Sequence, residues 1–359
     1  MLTAKKLYGF DDVTIIPASI SDLTSRNEVT EDINRLLWVS PMDSVVDEYN
    51  AYLFYDSRLN VCLARGVWKN LDLESIPPVI ISLTLEEAQG YIHKSNPMLR
   101  AFLNGYYDRH GKCRVLIDVA NGHMVQLFDL CRAFKRLEYE FELGVGNIAN
   151  PATYLEYAKA GADWVRAGIG TGSRCHTSSK TSVHYPMISL LDEMHSLKDR
   201  GGHEAKIIAD GGFRDSSDIA KALAAGADGI MSGAIFNKTI ESAGKKYVIP
   251  KKNGISLNLK NSVDNELARH YREEGYIIEV EYSGMSTIRA QEKYNGNNKK
   301  YEEGFSKRNI VEYNLEECLH EINYAIKSAF SYCNARTLRE FKQNAELALI
   351  NNLNNHNRL

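Results

Sequence analysis

The chain has 359 residues, of which 44% are hydrophobic and 25% are charged, and its formal net charge is -3. This composition indicates a globular protein with a full core. The near-neutral charge favours neither nucleic acid nor an anionic membrane as a partner. No apolar run approaches the roughly 20 residues of a membrane span, and the N-terminal MLTAKKLYGFDD lacks the apolar core of a secretory signal. We therefore expect a cytoplasmic protein.

Eight short apolar runs follow one another along the chain, with helical segments between them. Continuous apolar runs are typical of strands that are buried on both faces of a parallel sheet. The predicted strands are Leu36–Met42, Val61–Arg65, Val79–Leu83, Val115–Val119, Phe141–Asn147, Trp164–Gly168, Lys206–Gly212 and Gly229–Gly233. Crossover helices are predicted between them, for example at Asn150–Ala160 and Ser216–Ala225. This alternation predicts a (β/α)8 barrel, with an open doubly wound sheet as the alternative.

Residues 235–310 break this alternation. They are rich in Lys, Asn, Glu and Gly and include YNGNNKKYEEG, which is typical of a mobile loop. Because the active site of a barrel lies at the C-terminal ends of its strands, we expect an insertion and an active-site flap here. A helix at Asn314–Ser331 then closes the barrel, so that residues 1–359 form a single domain.

A glycine-rich segment, GIGTGSRCHT, follows the sixth predicted strand and ends at Thr177. Its glycines allow backbone N–H groups to face a ligand. A cysteine among such groups can be held as a thiolate, which makes Cys175 a candidate nucleophile. A phosphate-binding loop with an incidental cysteine is an equally good interpretation. The other five cysteines are scattered, which argues against a zinc site or a disulfide framework.

Three further motifs fall at predicted strand ends. In IIADGGF, Asp210 can accept hydrogen bonds from ribose hydroxyls, while the glycine amides can receive a phosphate. GIMSGA follows the next strand, and phosphate sites of barrels often lie after the seventh and eighth strands. DVANG places Asp118 at the C-terminal end of the fourth strand, where a helix N-cap or a turn former is an equally good interpretation.

Taken together, GIGTGSRCHT, DVANG, IIADGG and YSGMS resemble the motifs of the inosine monophosphate (IMP) dehydrogenase and GMP reductase family. YGFDDVTIIP, LTSR, VSPMDSVVD, ESAGK and IKSAFSYCNA continue the resemblance, which covers nearly the whole chain. It is weakest between Asp47 and Arg114 and between Lys245 and Glu279. The resemblance implies a purine nucleotide substrate, NADPH and a homotetramer.

The resemblance also implies three catalytic residues. Cys175 matches the family's cysteine, which attacks C2 of the purine and forms a covalent thioimidate. Thr177 matches a threonine that assists proton transfer, and Glu303 matches a glutamate of the flap. Such roles are chemically reasonable, because expulsion of ammonia from C2 requires a proton donor close to the amine.

Three sets of ligand contacts are implied in the same way. The substrate set is Ser40, Met42, Ser173, Asp210, Gly211, Gly212, Ser232, Gly233, Tyr282, Gly284, Met285, Ser286, Lys300 and Gly304, although Met42 equally fits the core. The NADPH set is Ser25, Arg26, Asp118, Val119, Ala120, Asn121, Ile169 and Gly170, with Ser328 and Ser331 from a neighbouring subunit. The backbone carbonyls of Gly170, Gly172 and Cys175 resemble the family's monovalent-cation site, which would hold K+.

Three features favour a reductase over a dehydrogenase. The interval from Leu83 to Val115 is too short for the regulatory CBS domain pair of the dehydrogenases. DVANG and GMS are the reductase forms of their motifs, and the flap lacks the Arg-Tyr dipeptide with which a dehydrogenase activates water. Tyr282 alone is a dehydrogenase-like detail. The predicted reaction is NADPH-dependent deamination of GMP to IMP. The alternatives are a dehydrogenase without CBS domains, converting IMP to XMP with NAD, and a catalytically silent nucleotide-binding protein.

Several positions depart from the family pattern. Thr171 replaces a proline, His176 follows the nucleophile, and Ser178 replaces an arginine near the cation site. Lys300 stands where the flap has an arginine and so loses bidentate hydrogen bonding. The stretch LNLKNSVDNELARHYREEG looks inserted. Because these changes concentrate around the base and the cofactor, a deoxy or modified purine nucleotide is an alternative substrate.

Overall fold

The structure, a computed structural model, describes residues 4–171, 181–249, 262–283 and 307–350. After β1 (Val13–Ile16), eight parallel strands close into a barrel in chain order. They are β2 (Leu37–Val39), β3 (Asn60–Leu63), β4 (Ile80–Leu83), β5 (Cys113–Asp118), β6 (Phe141–Ile148), β7 (Trp164–Ala167), β8 (Lys206–Asp210) and β9 (Gly229–Ser232). The predicted (β/α)8 barrel is confirmed, and the open sheet is wrong.

Side chains that point into the barrel fill its interior. The cluster consists of Trp38, Cys62, Ile80, Leu116, Trp164, Ile208 and Met231, all of them buried. The rings of Trp38 and Trp164 lie 4.9 Å apart. β6 contributes Gly144, where a Cβ would collide with the Trp164 ring. The barrel is therefore a packed core, and ligands have access only at its ends.

Helices cover the outside of the barrel. They are α1 (Ala51–Asp56), α2 (Leu85–Ile92), α3 (Pro97–His110), α4 (Val125–Phe134), α5 (Pro151–Ala160), α6 (Met187–Gly201), α7 (Ser216–Ala224) and α8 (Ala234–Asn237). Asn150 caps α5 and Asp215 caps α7 through side-chain oxygens that accept backbone N–H groups. Gly161 and Gly226, which follow α5 and α7, have the left-handed φ values expected of the AGAD segments.

Part of the excursion after β9 is regularly folded, which its composition did not predict. β10 (Lys246–Ile249), β11 (Ile277–Tyr282) and β12 (Lys307–Ile310) form an antiparallel sheet. Helix α9 (Asn265–Glu273) lies within the inserted-looking stretch and packs on this sheet. Ile240, Val248, Ala268, Ile278, Val280 and Val311 form a separate buried cluster between them. Alternating apolar residues in β11, rather than composition, are the sequence feature that reveals this sheet.

The chain termini pack together beside the barrel. α10 (Leu315–Tyr332) is the predicted closing helix, and Asn314 and Glu317 form a capping box at its start. After α11 (Leu338–Asn344), β13 (Glu346–Leu349) pairs antiparallel with β1, a sheet that the sequence did not predict. Among the helices of the described residues, none is long and apolar enough to cross a membrane.

Candidate active site at the C-terminal mouth of the barrel

An ionic network occupies the C-terminal mouth of the barrel. Arg166, near the end of β7, donates from Nη1 to Asp118 Oδ1 at 2.7 Å and from Nε to Asp210 Oδ2 at 3.0 Å. Arg65 Nε lies 3.1 Å from the second oxygen of Asp118. Two carboxylates and two guanidinium groups therefore balance each other at the ends of four strands.

Burial alone would disfavour the positive charge of Arg166, which is 9% exposed. The adjacent carboxylates of Asp210 and Asp118 outweigh this effect and raise the pKa of Arg166 above its usual value. Arg166 is therefore always charged and fixes both carboxylates. Asp118 has both oxygens paired, so its contribution to any ligand passes through Arg65 and Arg166.

The N-cap role considered for Asp118 is wrong. Helix α4 begins at Val125, and its N-cap residue is Met124, six positions beyond Asp118 in the sequence. Asp118 ends β5 and is 8% exposed.

Asp210 ends the neighbouring β8 and is held from two further directions. Asn147 Nδ2 donates to Asp210 Oδ2 at 2.7 Å, and the Thr171 hydroxyl donates to the Asp210 backbone oxygen at 2.7 Å. Oδ1 of Asp210 has no hydrogen-bond partner among the described residues. Gly211 and Gly212 follow with φ values of 78° and 84°, which favour glycine. The turn therefore presents one carboxylate oxygen beside a backbone without side chains.

A second group of predicted residues meets beside this turn. Ser40 N donates to Ser232 O at 3.2 Å, joining the ends of β2 and β9. The Tyr282 hydroxyl lies 3.6 Å from Met42 Sδ. A Cβ on Gly233 would lie 2.5 Å from Met42 Sδ and 2.9 Å from the Tyr282 hydroxyl. Five predicted substrate residues thus converge, and Gly233 provides the space between them.

Buried hydrogen bonds hold Tyr282 in this position. Ser44 Oγ donates to Ser283 O at 3.0 Å and accepts from Ser283 N at 3.1 Å. Asn237, which is fully buried, donates from Nδ2 to Ser44 O and Glu281 O, both at 3.0 Å. The end of β11 is therefore tied to the segment that follows β2.

The DVANG loop lies at the mouth between β5 and β6. Gly122 N donates to Asn147 O at 2.8 Å, and the Tyr157 hydroxyl donates to Gly122 O at 2.6 Å. A Cβ at Gly122 would lie 2.7 Å from Asn147 O, so the loop requires glycine there. Val119 is half-buried, and Ala120 and Asn121 are exposed. In the segment that follows β7, Ile169 is buried and Gly170 is half-buried.

The remaining predicted cofactor residues form a separate patch. Arg26 Nη1 donates to Ser328 Oγ at 3.0 Å, and its guanidinium lies 3.6 Å from the centre of the Tyr324 ring. Ser25 precedes Arg26, and Ser331 O accepts from Ser21 Oγ at 3.1 Å. The neighbouring Thr30 N donates to Arg336 O, shortly before β2.

This patch lies away from the mouth of its own barrel. α10 starts beside Glu241, on the excursion that follows β9, and Ser328 lies roughly 20 Å further along the helix. Because Arg26 contacts Ser328 in the same chain, a subunit that supplies Ser328 to a neighbour would supply Arg26 as well. The sequence prediction had assigned only Ser328 and Ser331 to the neighbour.

Several predicted residues lie outside the described residues. They are Gly172, Ser173, Cys175, Thr177, Gly284, Met285, Ser286, Lys300, Glu303 and Gly304. The catalytic roles of Cys175, Thr177 and Glu303 and the cation site therefore stay predictions. The other five cysteines are buried, and burial raises the pKa of Cys62 and of Cys131 to about 12. Among the described residues, no group of three or more His, Cys, Asp or Glu side chains could hold a metal ion.

Sequence reasoning missed Arg65, Asn147 and Arg166. The sequence does contain a signal for these residues, because each is a polar residue at the C-terminal end of an otherwise apolar strand, as in WVRA of β7. A charged residue in such a strand must meet an opposite charge, and Asp118 and Asp210 were the candidates at the same face.

These features define a (β/α)8-barrel protein with an ionic site and, beside it, a cluster of predicted substrate residues around Gly233 at the C-terminal mouth. Residues 109–356 match the model of the IMP dehydrogenase / GMP reductase domain, and the chain belongs to this family. Its members are oxidoreductases that act on purine nucleotides with a nicotinamide cofactor.

Individual relatives carry both names of the family. The chain is 32% identical over 237 residues to inosine-5'-monophosphate dehydrogenase of Chlorobaculum tepidum, covering 66% of this chain and 45% of that protein. It is 35% identical over 183 residues to human GMP reductase 1, covering 47% of this chain and 50% of that protein. It is 29% identical over 365 aligned positions to GMP reductase of Shewanella pealeana, covering 92% and 91%. The chain thus spans about half the length of the first two relatives.

Proposed function

We propose that this protein is a GMP-reductase-like enzyme that converts GMP, or a closely related purine nucleotide, to IMP and ammonia with NADPH. The observation that carries the proposal is the convergence of Ser40, Met42, Ser232, Gly233 and Tyr282 beside Asp210. Asp210 is joined to Thr171, the last described residue before the segment that contains Cys175, through the hydroxyl of Thr171.

The nucleotide would bind with its ribose against Asp210 and its phosphate on the turns that follow β8 and β9. The half-buried Oδ1 of Asp210, which has no hydrogen-bond partner among the described residues, supports the first contact, because it can accept from a donor such as a ribose hydroxyl. The positive φ value of Gly212 supports the second, because glycine lets a backbone N–H group approach a phosphate closely, whereas the Gly211 N–H already donates to Met231 O. Met42 and Tyr282 would line the pocket of the base.

The chemical steps would belong to the glycine-rich segment and the flap. The Cys175 thiolate adds to C2, and the amine leaves as ammonia after accepting a proton delivered through Thr177 and Glu303. This leaves a thioimidate between Sγ and C2. Hydride addition at C2 then breaks the C–S bond, returning the thiolate and releasing IMP. In total, GMP, NADPH and one proton give IMP, NADP+ and ammonia.

A reduced nicotinamide would supply the hydride, and the mouth between β5 and β7 fits such a group. Ala120 and Asn121 are exposed beside the buried Arg166 network, with Asn121 as the polar side chain, and Gly170 carries no side chain in the segment that follows β7. The Arg26–Ser328 patch, which lies far from its own mouth, would complete the site of a neighbouring subunit in a homotetramer.

The segment between β4 and β5 supports a reductase. It forms only α2 and α3, so no CBS pair interrupts the barrel at this position. The alignment that spans 91% of a named GMP reductase supports the same choice. Tyr282 is a dehydrogenase-like residue, and some relatives are named as dehydrogenases. Oxidation of IMP with NAD is therefore tested as well.

The test combines each of GMP, dGMP and IMP with each of NADPH, NADH and NAD and monitors the absorbance of the reduced nicotinamide. We expect oxidation of NADPH with a guanine nucleotide and release of ammonia. Reduction of NAD with IMP would identify a dehydrogenase instead, and no turnover with any pair would overturn the assignment as an enzyme.

A further inference from the structure

His123 bridges two loops at the mouth of the barrel, and the proposed function does not use it. Its Nδ1 lies 2.9 Å from Asn121 Oδ1, and its Nε2 lies 3.1 Å from the backbone nitrogen of Ala149. Asn121 belongs to the loop after β5, and Ala149 directly follows β6. The ring therefore fixes the Asn121 side chain relative to the rigid end of a strand.

Two backbone donors determine the chemistry of these contacts. Ala149 N–H can only donate, so Nε2 of His123 must accept and carries no proton. The ring is therefore neutral with its proton on Nδ1, which donates to Asn121 Oδ1. His123 N–H also donates to Asn121 Oδ1, at 3.2 Å, which fixes the orientation of the amide. Asn121 thus turns its oxygen inward and its NH2 group toward solvent.

We propose that neutral His123 is a positioning residue, which holds the Asn121 NH2 group outward as a hydrogen-bond donor for an acceptor oxygen of the bound nicotinamide dinucleotide. This inference rests on the proposed function only in identifying the ligand. The hydrogen bonds that define the amide orientation lie within the chain itself.

The arrangement holds in one protonation state of the ring. A second proton on Nε2 would face the Ala149 N–H, and two donors cannot bond. The ring would then leave Ala149 and release Asn121. Burial lowers the pKa of His123 below its usual 6.5, and no charged side chain of the described residues shifts this pKa further. The neutral form therefore prevails at pH 7, and cofactor affinity should fall as the pH decreases below 6.5.

Three variants test this role in the full-length protein. His123→Phe keeps a ring but removes both side-chain hydrogen bonds. His123→Asn keeps a donor near the Nδ1 position and cannot titrate. His110→Phe is the matched control, because burial also lowers the pKa of His110, but this residue ends α3, on the side of the barrel where β5 begins.

The measurement is the dissociation constant of NADPH from its fluorescence, at pH 7.5 and at pH 5.8, with KM and kcat alongside. For His123→Phe we expect roughly fivefold weaker NADPH binding at pH 7.5, the effect of one hydrogen bond. KM for NADPH should rise accordingly, with kcat less affected. His123→Asn, which keeps the contact with Asn121 but loses the one with Ala149, should bind NADPH with an affinity between those of the wild type and His123→Phe and should lose the acid dependence. His110→Phe should follow the wild type at both pH values.

Imidazole 15N spectra of the free protein supply a readout that needs no ligand, and a proton on Nδ1 is expected at pH 7.5. Wild-type affinity in His123→Phe, an unchanged acid dependence in His123→Asn, or a proton on Nε2 would each overturn the positioning role while leaving the proposed function intact. Failure of the wild type to bind NADPH at all would overturn the proposed function, and the positioning role with it.

Discussion

Nη1 of Arg166 lies 2.7 Å from Oδ1 of Asp118, and both residues are more than nine-tenths buried. Such a pair is tolerated in a barrel interior only if each charge is compensated. Asp210 and Arg65 complete the compensation. Removal of any one of these four charges would therefore leave an opposite charge in the network without its partner.

Arg166→Met should destabilise the fold by about 3 to 5 kcal/mol, because it leaves buried carboxylates without a partner. Urea unfolding measures this change. Arg132→Met is the matched control, since within the described part of the chain Arg132 pairs with Asp129 alone, at the surface, and it should cost less than about 1 kcal/mol. Similar losses in the two variants would show that the network is not a buried ionic unit.

Gly233→Ala should block the nucleotide pocket while the barrel still folds. The added Cβ would lie 2.5 Å from Met42 Sδ and 2.9 Å from the Tyr282 hydroxyl, both at the ends of side chains that can move. We expect KM for GMP to rise about tenfold, in line with a typical overpacking cost. The control is Gly9→Ala, whose Cβ meets its nearest atom at an ordinary 3.8 Å. Unchanged nucleotide binding in Gly233→Ala would remove Gly233 from the pocket.

Cys175 should be the first thiol to react in the native protein. The other five cysteines are buried, and burial raises the pKa of Cys62, Cys131 and Cys318 to about 12. Iodoacetamide at pH 7.5 followed by peptide mass spectrometry should find the label on Cys175, with protection by GMP. Cys175→Ala should abolish turnover and retain nucleotide affinity, whereas Cys131→Ala should stay active. Turnover in Cys175→Ala would exclude the covalent mechanism.

Lys246 should make the free energy of unfolding depend on pH in the alkaline range. It is 1% exposed, and its ammonium donates to Ser242 O at 2.5 Å and to Gly244 O at 3.1 Å. Burial lowers its pKa to about 8, against the opposing charges of Glu241 and Asp47. The unfolded chain therefore binds more protons than the native state from about pH 8 to about pH 10.5, and stability rises with pH in that window.

Between pH 7.5 and pH 9.5, wild type should gain on the order of 1 to 2 kcal/mol relative to Lys246→Met. Chemical denaturation at both pH values gives the difference. The exposed neighbour offers the control Lys245→Met, which should follow the wild type at both pH values. A difference from Lys246→Met that is constant with pH would show that Lys246 titrates normally.

The sequence was sufficient for the barrel, because each of its strands is a short apolar run and several crossover helices begin at a side-chain cap, such as Asn150 or Asp215. It was insufficient for the two smaller sheets. The partners β1 and β13 stand at opposite ends of the chain, and short strands with partly exposed faces such as Glu346–Leu349 carry little periodic signal.

The candidate site likewise has one part that the sequence predicted and another that it did not. The positions of Asp210 and Gly233 followed from strand ends, since parallel strands place their C-terminal ends at one mouth. The partners of Asp118 could not be predicted, because pairing across a barrel depends on which side chains point inward. The contact of Arg26 with Ser328 joins segments that are far apart in sequence, and only the folded chain reveals it.

The most direct test of the central claim is to supply GMP with NADPH carrying deuterium at the transferring position. The proposed chemistry predicts IMP with deuterium at C2 and one ammonia released for each NADPH oxidised. Absence of NADPH oxidation with any guanine nucleotide, or product without deuterium at C2, would contradict it.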